Sequence, residues 1–411
     1  MKRHAAVVPV LLMALGLPSA TAAQTLERFA SFPADTFSPG PTSGQFIAPT
    51  NGRTPPFLDK QPVQGISSVL RRSDAEFLVM GDNGFGAQDN SADYVLRVYR
   101  IRPDFRTARG GRGAVKVLPF LTLRDPRRRI PFPIVADSAF YYASAIPVDP
   151  EIRERRLLTG ADFDIESFRE AHDGTFWFGD EFGPFLIHTD RTGRVLEAPI
   201  PLPGVRAPQN PFLNGGAPNL GSSRGFEGMA LSPNSRTLYP MLEGPLTTDL
   251  DQQRLIINQF DVRTRRYTGR QWFYRLDVTG YSIGDLTALT ATRFLVIERD
   301  NLQGDAAAFK KVFVVDLTQV GADGFLVKRE VADLLHIDDP HNLGGQGPTF
   351  RFPFQTIESV IPFSRFRIGL LDDNNYPFSS ARVPGQPDPN EFIVIRLDAP
   401  LFGAGAPDGS D

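Results

Sequence analysis

Cysteine is absent from the 411 residues of this chain, and its absence removes several kinds of chemistry at once. Disulfides, thiolate metal ligands, thiol nucleophiles and thiol redox reactions are all excluded. Histidine is scarce, with five in the chain, and none stands in a paired ligand spacing such as HExxH. The sequence also contains no Walker-type phosphate loop. The side chains that remain for chemistry are mainly carboxylates, amides and arginines.

Long apolar runs are missing beyond the N-terminus, so the sequence predicts no membrane span in the mature protein. The chain begins with basic Lys2 and Arg3, followed by an apolar run over residues 5–17 and small residues before position 24. This pattern predicts a signal peptide over residues 1–23, cleaved after Ala22 or Ala23. A retained N-terminal anchor is the alternative. We therefore expect an exported protein, periplasmic or secreted.

The chain lacks a strong charge of either sign. Its formal net charge is −3, and about −5 without Lys2 and Arg3, which argues against nucleic-acid binding. A monomer acting on a small, anionic molecule is the expectation. Sustained helical periodicity is also missing, whereas 36 prolines, 37 glycines and 33 phenylalanines favour strands joined by tight turns.

Five segments of the chain share one plan: an apolar strand that opens with a polar or acidic residue, a central turn, and a second apolar strand ending in Asp or Glu. They are residues 65–86, 164–184, 225–245, 284–301 and 356–377. Further strand signals between them supply outer strands. We therefore predict an all-β fold, a β-propeller of four-stranded blades, as a single domain over residues 24–411.

The number of blades is less directly read from the sequence, because five repeats are visible and six blades are expected. The sixth would come from residues 129–145 or from the start of the mature chain. The last repeat has one clear outer strand, and residues 26–32 are predicted to supply its missing partner and close the ring. A stack of β-sandwiches is the competing architecture.

Acidic residues recur at the open ends of the predicted hairpins. Residues equidistant from a hairpin turn face each other across the two strands. This rule pairs Glu166 with Asp180, Glu227 with Glu243, Asp285 with Glu298, and Glu358 with Asp373. Opposed like charges destabilise a hairpin, so a repeated arrangement of this kind needs a cation or hydrogen-bond donors. Solvated strand ends are the alternative interpretation.

Several motifs in these segments resemble a known family. The stretches DIESF, GFEGMALSPN, FLVIERDN and DNNYPFS occur in an order that is similar to the phytase-like, "esterase-like activity of phytase" family of exported bacterial proteins. The resemblance runs from about Gly65 to the C-terminus. It implies a β-propeller, bound calcium and a phosphoesterase activity.

Twelve acidic residues are expected to converge on a shared mouth: Asp82, Asp164, Glu166, Asp180, Glu181, Glu227, Glu243, Asp285, Glu298, Glu358, Asp372 and Asp373. The predicted metal ligands are Asp82, Asn83, Glu166, Asp180, Glu181, Glu227, Asp285, Glu298, Glu358, Asp373 and Asn374. An oxygen-only set suits Ca²⁺, and Mg²⁺ less well.

The predicted catalytic residues are Glu227 and Glu243, as alternative general bases, together with Arg299. Arg224 and Arg299 are the candidates for binding an anionic substrate, with a structural ion pair as the alternative role for each. The resulting hypothesis is a calcium-dependent phosphoesterase or esterase. Two alternatives remain open: a non-catalytic propeller that calcium stabilises, and a sugar-lactone hydrolase with Glu166, Asp285 and Asn374 as ligands.

Overall fold

The computed structural model describes residues 24–403, whose regular secondary structure is almost entirely β-strand. The predicted signal peptide, residues 1–23, and residues 404–411 lie outside the described part of the chain. The strands are β1 (Gln24–Phe32), β2 (Phe37–Pro39), β3 (Lys60–Pro62), β4 (Ile66–Arg71), β5 (Phe77–Gly81), β6 (Arg97–Asp104), β7 (Ala114–Thr122), β8 (Ile165–Glu170), β9 (Phe176–Asp180), β10 (Phe185–Thr189), β11 (Ile200–Pro201), β12 (Phe226–Leu231), β13 (Thr237–Leu242), β14 (Arg254–Asp261), β15 (Arg266–Arg275), β16 (Ser282–Ala288), β17 (Arg293–Arg299), β18 (Lys310–Val320), β19 (Leu326–Asp333), β20 (Ile337–Asp338), β21 (Thr349–Phe350), β22 (Thr356–Ser364), β23 (Arg367–Asp373) and β24 (Asn390–Leu397).

Helix is limited to one short α-helix, α1 (Pro150–Arg155), and three 3₁₀ turns at Gln88–Asn90, Val135–Asp137 and Gly304–Ala306. Asp149 caps α1 by accepting a hydrogen bond from the main-chain N–H of Glu151, and Pro150 occupies the first helical position, where its missing N–H costs nothing. Within residues 24–403, no helix is long and apolar enough to cross a membrane.

The strands form a β-propeller of five four-stranded blades. The blades are β4–β7, β8–β11, β12–β15, β16–β19 and, last, β22–β23–β24–β1. Their innermost strands β4, β8, β12, β16 and β22 contact one another in a closed ring. Closure is confirmed as predicted: β1 pairs antiparallel with β24 from Gln24↔Leu397 to Phe32↔Asn390, so the two ends of the described chain share one blade.

The expectation of a sixth blade is wrong for residues 24–403. The segment over residues 129–145 contains a 3₁₀ turn and no strand. Pro131 and Pro133 lack the N–H groups that a strand would donate, while Ile130 and Ile134 are buried against the first two blades. The segment therefore serves as an apolar cover at the edge of those blades.

The core lies between neighbouring blades, because each sheet buries both of its faces. Leu295 and Ile297 of the fourth blade pack with Val360 and Ile368 of the fifth, and the other interfaces are built the same way. The hairpins inside each blade follow from local turn chemistry. In the second blade Asp173 accepts hydrogen bonds from the N–H and hydroxyl of Thr175, and Gly174 adopts a positive φ of 77°.

One irregularity recurs in the inner hairpin of every blade. The pairing register shifts by one residue near the start of the innermost strand, which is a β-bulge. The residues in the bulges are Ser67, Glu166, Glu227, Gly284 and Glu358. A bulge leaves one residue unpaired and turns its side chain away from the regular alternation. The β-bulge in each inner hairpin therefore determines which side chains point to the centre of the ring.

Candidate metal centre

Each blade contributes two positions to the centre of the ring. The first position is the bulge residue on the innermost strand. The second position lies on the neighbouring strand, one residue after the strand partner of the residue that precedes the bulge. In the second blade, for example, Ile165 precedes the bulge and pairs with Asp180, so Glu181 takes the second position. In blade order the second position is occupied by Asp82, Glu181, Glu243, Arg299 and Asp373. Side chains from different blades meet there: Ser67 contacts Glu358 at 3.3 Å, and Arg299 contacts Glu243 and Glu358. We call the following residues the axial cluster: Asp82, Asp164, Glu166, Glu181, Glu227, Glu243, Arg299, Glu358 and Asp373.

Because of the bulges, none of the four predicted acid pairs is a strand pair, and two of the predicted acids are displaced from the axis as a result. Asp180 is the strand partner of Ile165, not of Glu166, and Glu298 is the partner of Ile283, not of Asp285. Because Asp180 lies one residue before the axial position, its carboxylate accepts the main-chain N–H groups of Asp164 and Gly183. Asp180 therefore shapes the loop that presents Asp164.

Glu298 and Asp285 lie outside the axial cluster for the same reason. Glu298 accepts hydrogen bonds from the Tyr274 hydroxyl at 2.6 Å and from Lys328 at 2.6 Å. Asp285 is paired with Arg169 at 3.0 Å and also accepts the main-chain N–H of Val360. Both carboxylates are thus already compensated by protein donors.

Gly284 occupies the bulge position that Asp285 was expected to fill. A Cβ at Gly284 would lie 2.0 Å from the main-chain oxygen of Ile357, so the fourth blade has no room for a side chain there. The same blade contributes Arg299 where the other blades carry a carboxylate. The fourth blade is therefore the one that brings positive charge to the axis.

The two predicted amide ligands are buried beside the cluster, and both amide oxygens accept main-chain N–H groups. Asn83 Oδ1 accepts from Gly86 at 2.9 Å, and Asn374 Oδ1 accepts from Gly65 at 3.4 Å. Asn374 also donates to the main-chain oxygen of Asp388. These contacts hold the loops that follow β5 and β23.

Three carboxylates in the axial cluster converge closely enough to share one cation. Asp164, Glu166 and Glu181 each offer an oxygen, and these oxygens all lie within 4.8 Å of one another. The residues are 2%, 7% and 4% exposed, and each has one buried oxygen without a hydrogen-bond partner in the described structure. A buried carboxylate oxygen without a donor is costly, so the arrangement calls for a cation. Asp164, which lies two residues before the bulge, was absent from the predicted ligand set.

Positive charge is confined to the other side of the cluster. Arg299 lies 2.8 Å from Glu358, 3.4 Å from Glu243 and 4.0 Å from Glu227. Arg224 binds the other oxygen of Glu243 at 2.7 Å. Within residues 24–403, by contrast, no Lys, Arg or His lies within ion-pair distance of the three converging carboxylates. The arginines therefore balance the negative charges of Glu227, Glu243 and Glu358, whereas the charges of the three converging carboxylates have no basic partner in the described residues.

Burial and mutual repulsion raise the pKa values of seven carboxyls of the axial cluster. Burial is the main cause throughout, and it brings the pKa of Asp164 to about 6 and, with the charge of Asp164, the pKa of Asp82 to about 7. Burial and Asp82 raise the pKa of Asp373 to about 7, and burial and Asp373 raise that of Glu358 to about 8. The pKa values of the remaining shifted carboxyls, Glu166, Glu181 and Glu227, lie well above the ordinary value.

The family model described as "Phytase-like: Esterase-like activity of phytase" matches residues 61–376. The chain belongs to this phytase-like family. The matched range begins in β3 and ends just after β23, so it contains all five inner hairpins and every residue of the axial cluster.

Other similarities of this phytase-like chain are more distant. A protein of the fungus Arthroderma benhamiae named "Uncharacterized secreted protein" is 25% identical over 184 residues, a match that covers 36% of this chain and 36% of the relative. The match thus spans about a third of the relative's length.

Among solved structures, a calcium-binding regucalcin from Agrobacterium tumefaciens is 13% identical and matches over 94% of both chains with a TM-score of 0.35. A PQQ-bound aldose sugar dehydrogenase from Streptomyces coelicolor is 9% identical, with 93% of this chain and 100% of that chain covered and a TM-score of 0.35. At these identities and TM-scores the similarities carry no argument.

The raised pKa values predict how the stability of the metal-free protein depends on pH. Because the folded-state pKa values exceed the ordinary 3.8–4.5, the folded form holds protons that the unfolded form has lost. The resulting stability is complete below pH about 4 and is lost as the pH rises towards 8. In EDTA, we expect the free energy of unfolding to be several kcal/mol lower at pH 8 than at pH 5.5.

Thermal unfolding at the two pH values measures this effect. Adding calcium should raise the Tm at pH 8 far more than at pH 5.5, because protons compete with the cation for the same oxygens. A chelated protein that is equally stable at both pH values would show that the cluster carboxyls are not the groups that titrate.

Proposed function

We propose that this chain is an exported, calcium-dependent hydrolase of ester or phosphoester bonds. The observation that carries the proposal is the convergence of Asp164, Glu166 and Glu181, with three buried oxygens that no protein donor satisfies. Membership of a family described by an esterase-like activity of phytase supports hydrolysis as the reaction class. The fungal relative is described as a secreted protein, which supports export of this chain.

The donors on this side of the axial cluster fit a hard cation. Asp164, Glu166 and Glu181 would hold it, with Asp82 and Glu227 as neighbouring carboxylates on the axis. Calcium takes six to eight oxygen ligands and tolerates irregular geometry, whereas magnesium demands a near-ideal octahedron and keeps most of its water. A crowded, all-carboxylate group therefore favours calcium over magnesium. Calcium bound here would polarise a carbonyl or phosphoryl oxygen and make water a better nucleophile.

The residues around these donors divide the remaining tasks. Glu227 Oε1 is buried without a hydrogen-bond partner, 4.0 Å from Arg299, so this oxygen is free to accept a proton from water, and burial raises the pKa of Glu227 above its ordinary value. Glu243, the other candidate base, is held between Arg224 and Arg299 and would orient them. Glu227 is thus the preferred base in this proposal.

Arg224 is the better placed of the two predicted substrate-binding arginines. Its side chain is 36% exposed, and its Nη1 binds Glu243 and Ser282, which leaves the rest of the guanidinium for an anionic group. Arg299 is buried and already contacts three glutamates, so it would stabilise the cluster rather than bind substrate directly. The proposed substrate is a small anionic ester, acted on by a monomer.

Metal removal tests this function. We expect the purified protein to hydrolyse p-nitrophenyl phosphate or p-nitrophenyl acetate, EDTA to abolish the activity, and calcium to restore it more fully than magnesium. Initial rates with the chelated protein titrated with each cation give the measurement. The proposal would be contradicted if the protein remained active after elemental analysis had shown that it contains no calcium.

A second candidate function follows from the depth of the site. The three converging carboxylates are each less than one-tenth exposed, which is typical of a structural ion and leaves little room for a substrate. In that case calcium would hold the blades together in a non-catalytic propeller. Chelation would then lower the Tm while a broad panel of esters and phosphoesters remained unhydrolysed with calcium present.

A further inference from the structure

A polar cavity of about 500 Å³ lies away from the axis, at the outer strands of the first two blades. Three arginines line it: Arg97 from β6, Arg124 from the segment after β7, and Arg155 from α1. Glu151 is the one acidic residue in the lining. The cavity therefore combines a net positive charge with walls from several separate elements.

Arg97 is the unusual member of this lining because it is a buried cation without a counter-charge. Its side chain is 2% exposed, and no carboxylate among residues 24–403 lies within 4.0 Å of its guanidinium. Nη1 donates to the hydroxyl of Ser38 at 2.7 Å, and Nε has no hydrogen-bond partner in the described structure. A buried charge that is neither paired nor fully hydrogen-bonded is strongly unfavourable.

The position of this guanidinium is set by its surroundings. It lies over the ring of Phe120, with 4.0 Å from Cζ to the ring centroid. On the main-chain side, a Cβ at Gly40 would come within 2.3 Å of Nη2, so a side chain at position 40 would displace the guanidinium from this place. A cation–π contact of this kind orients Arg97 but supplies no negative charge.

The two other arginines are less buried. Arg124 donates to the Thr192 hydroxyl at 3.2 Å and has no carboxylate within ion-pair distance in the described residues. Arg155 pairs with Glu151 one helical turn away in α1. Two of the three guanidiniums that line the cavity thus lack an acidic partner.

We propose that this cavity binds an oxyanion, as a free ion or as the charged group of a small molecule, with Arg97, Arg124 and Arg155 as its ligands. The planar, forked guanidinium matches the geometry of both phosphoryl or sulfuryl groups and carboxylates. The site is separate from the axial cluster, and it is independent of the proposed hydrolase activity.

Calorimetry with the calcium-loaded protein tests the proposal, using sulfate and acetate as probes. Sulfate replaces phosphate here because it binds calcium less strongly, and excess free calcium is removed before the titration. Sulfate is expected to bind saturably, with a matching saturable rise in Tm. Acetate distinguishes a carboxylate site from a site for tetrahedral anions. The saturable form matters, because sulfate stabilises proteins in general without saturation.

Arg97→Met should reduce sulfate or acetate affinity at least about tenfold, since it removes the central charged ligand. In buffer without either anion, this variant should be at least as stable as the wild type, because an unpaired buried charge has been replaced by an apolar side chain. Arg127→Met is the matched control: Arg127 is exposed, carries the same charge, and does not line the cavity.

Arg124→Met and Arg155→Met keep the test valid if Arg97→Met fails to fold. Each should weaken binding, while Arg127→Met should bind as the wild type does. Saturable binding that is unchanged in the Arg124 and Arg155 variants would overturn the proposal. So would the absence of saturable binding of either probe, or an Arg97→Met variant that loses stability equally with and without anion, since Arg97 would then be a structural residue.

Discussion

Glu181→Gln is expected to lower calcium affinity by about 100-fold or more and to abolish calcium-dependent activity. Glu181 directly follows β9 in the second blade. Its carboxylate lies beside Asp164 and Glu166 and has one oxygen without a hydrogen-bond partner. The substitution removes one negative charge from a group of three converging carboxylates that has no basic partner among residues 24–403. Calorimetric titration of the chelated variant with calcium measures the effect.

The metal-free form of this variant should be more stable than the metal-free wild type at pH 8. Burial and the charges of Glu243 and Asp164 hold the pKa of Glu181 well above its ordinary value, so the ionised side chain costs stability when no cation is bound. A neutral glutamine removes that cost. The Glu181→Gln variant thus separates loss of metal binding from loss of folding, because the two changes have opposite signs.

Glu298→Gln is the matched control. It makes the same chemical change at a buried glutamate in the equivalent hairpin of the fourth blade, but Glu298 points to Tyr274 and Lys328 instead of the axis. Calcium affinity should remain that of the wild type, even if the variant is less stable. If Glu298→Gln loses calcium as Glu181→Gln does, the placement of the metal among Asp164, Glu166 and Glu181 is wrong.

The inner hairpins could be predicted from the sequence because each is a local structure. Strand, turn and strand lie within about twenty residues, and turn residues such as Asp173 and Gly174 mark the centre of the hairpin. The closure of the ring by β1 could also be predicted from the strand pattern, because the last repeat has one clear outer strand where a four-stranded blade needs two. The predicted sixth blade failed because residues 129–145 have the apolar content of a strand, yet their prolines and their burial against existing blades favour a loop.

The positions of the side chains that meet on the axis were predicted to within one residue in the second and fourth blades, and the error has a structural cause. Counting equal distances from a turn assumes an unbroken ladder, whereas every inner hairpin contains one extra residue as a bulge. The bulge moves Glu181 and Arg299 to the axis and leaves Asp180 and Glu298 beside it. Aligning the five segments on their apolar residues instead of their acids would have placed Gly284 with Glu166 and Arg299 with Glu181. Bulges themselves have no clear sequence signal here.

Arg299→Met is expected to reduce the free energy of unfolding by about 3–5 kcal/mol at pH 8, the usual cost of breaking a buried ion pair from one side. Arg299 is 4% exposed and, within the described residues, is the one cation that contacts all three of Glu227, Glu243 and Glu358. Methionine fills most of the space but leaves these carboxylates facing one another. Arg224 still compensates Glu243, so Glu227 and Glu358 bear most of the cost.

The pH dependence of this loss distinguishes charge from packing. At pH 5 the carboxyl of Glu358, whose pKa burial and Asp373 raise to about 8, is protonated even with Arg299 in place, and without the arginine its pKa would rise further. The variant should therefore be close to the wild type in stability at pH 5 and far less stable at pH 8, as urea unfolding at the two pH values would measure. Arg299→Lys should recover part of the loss at pH 8. An equal loss at both pH values would mean that Arg299 acts by filling space, and that the arginine side of the axial cluster is not held together by charge.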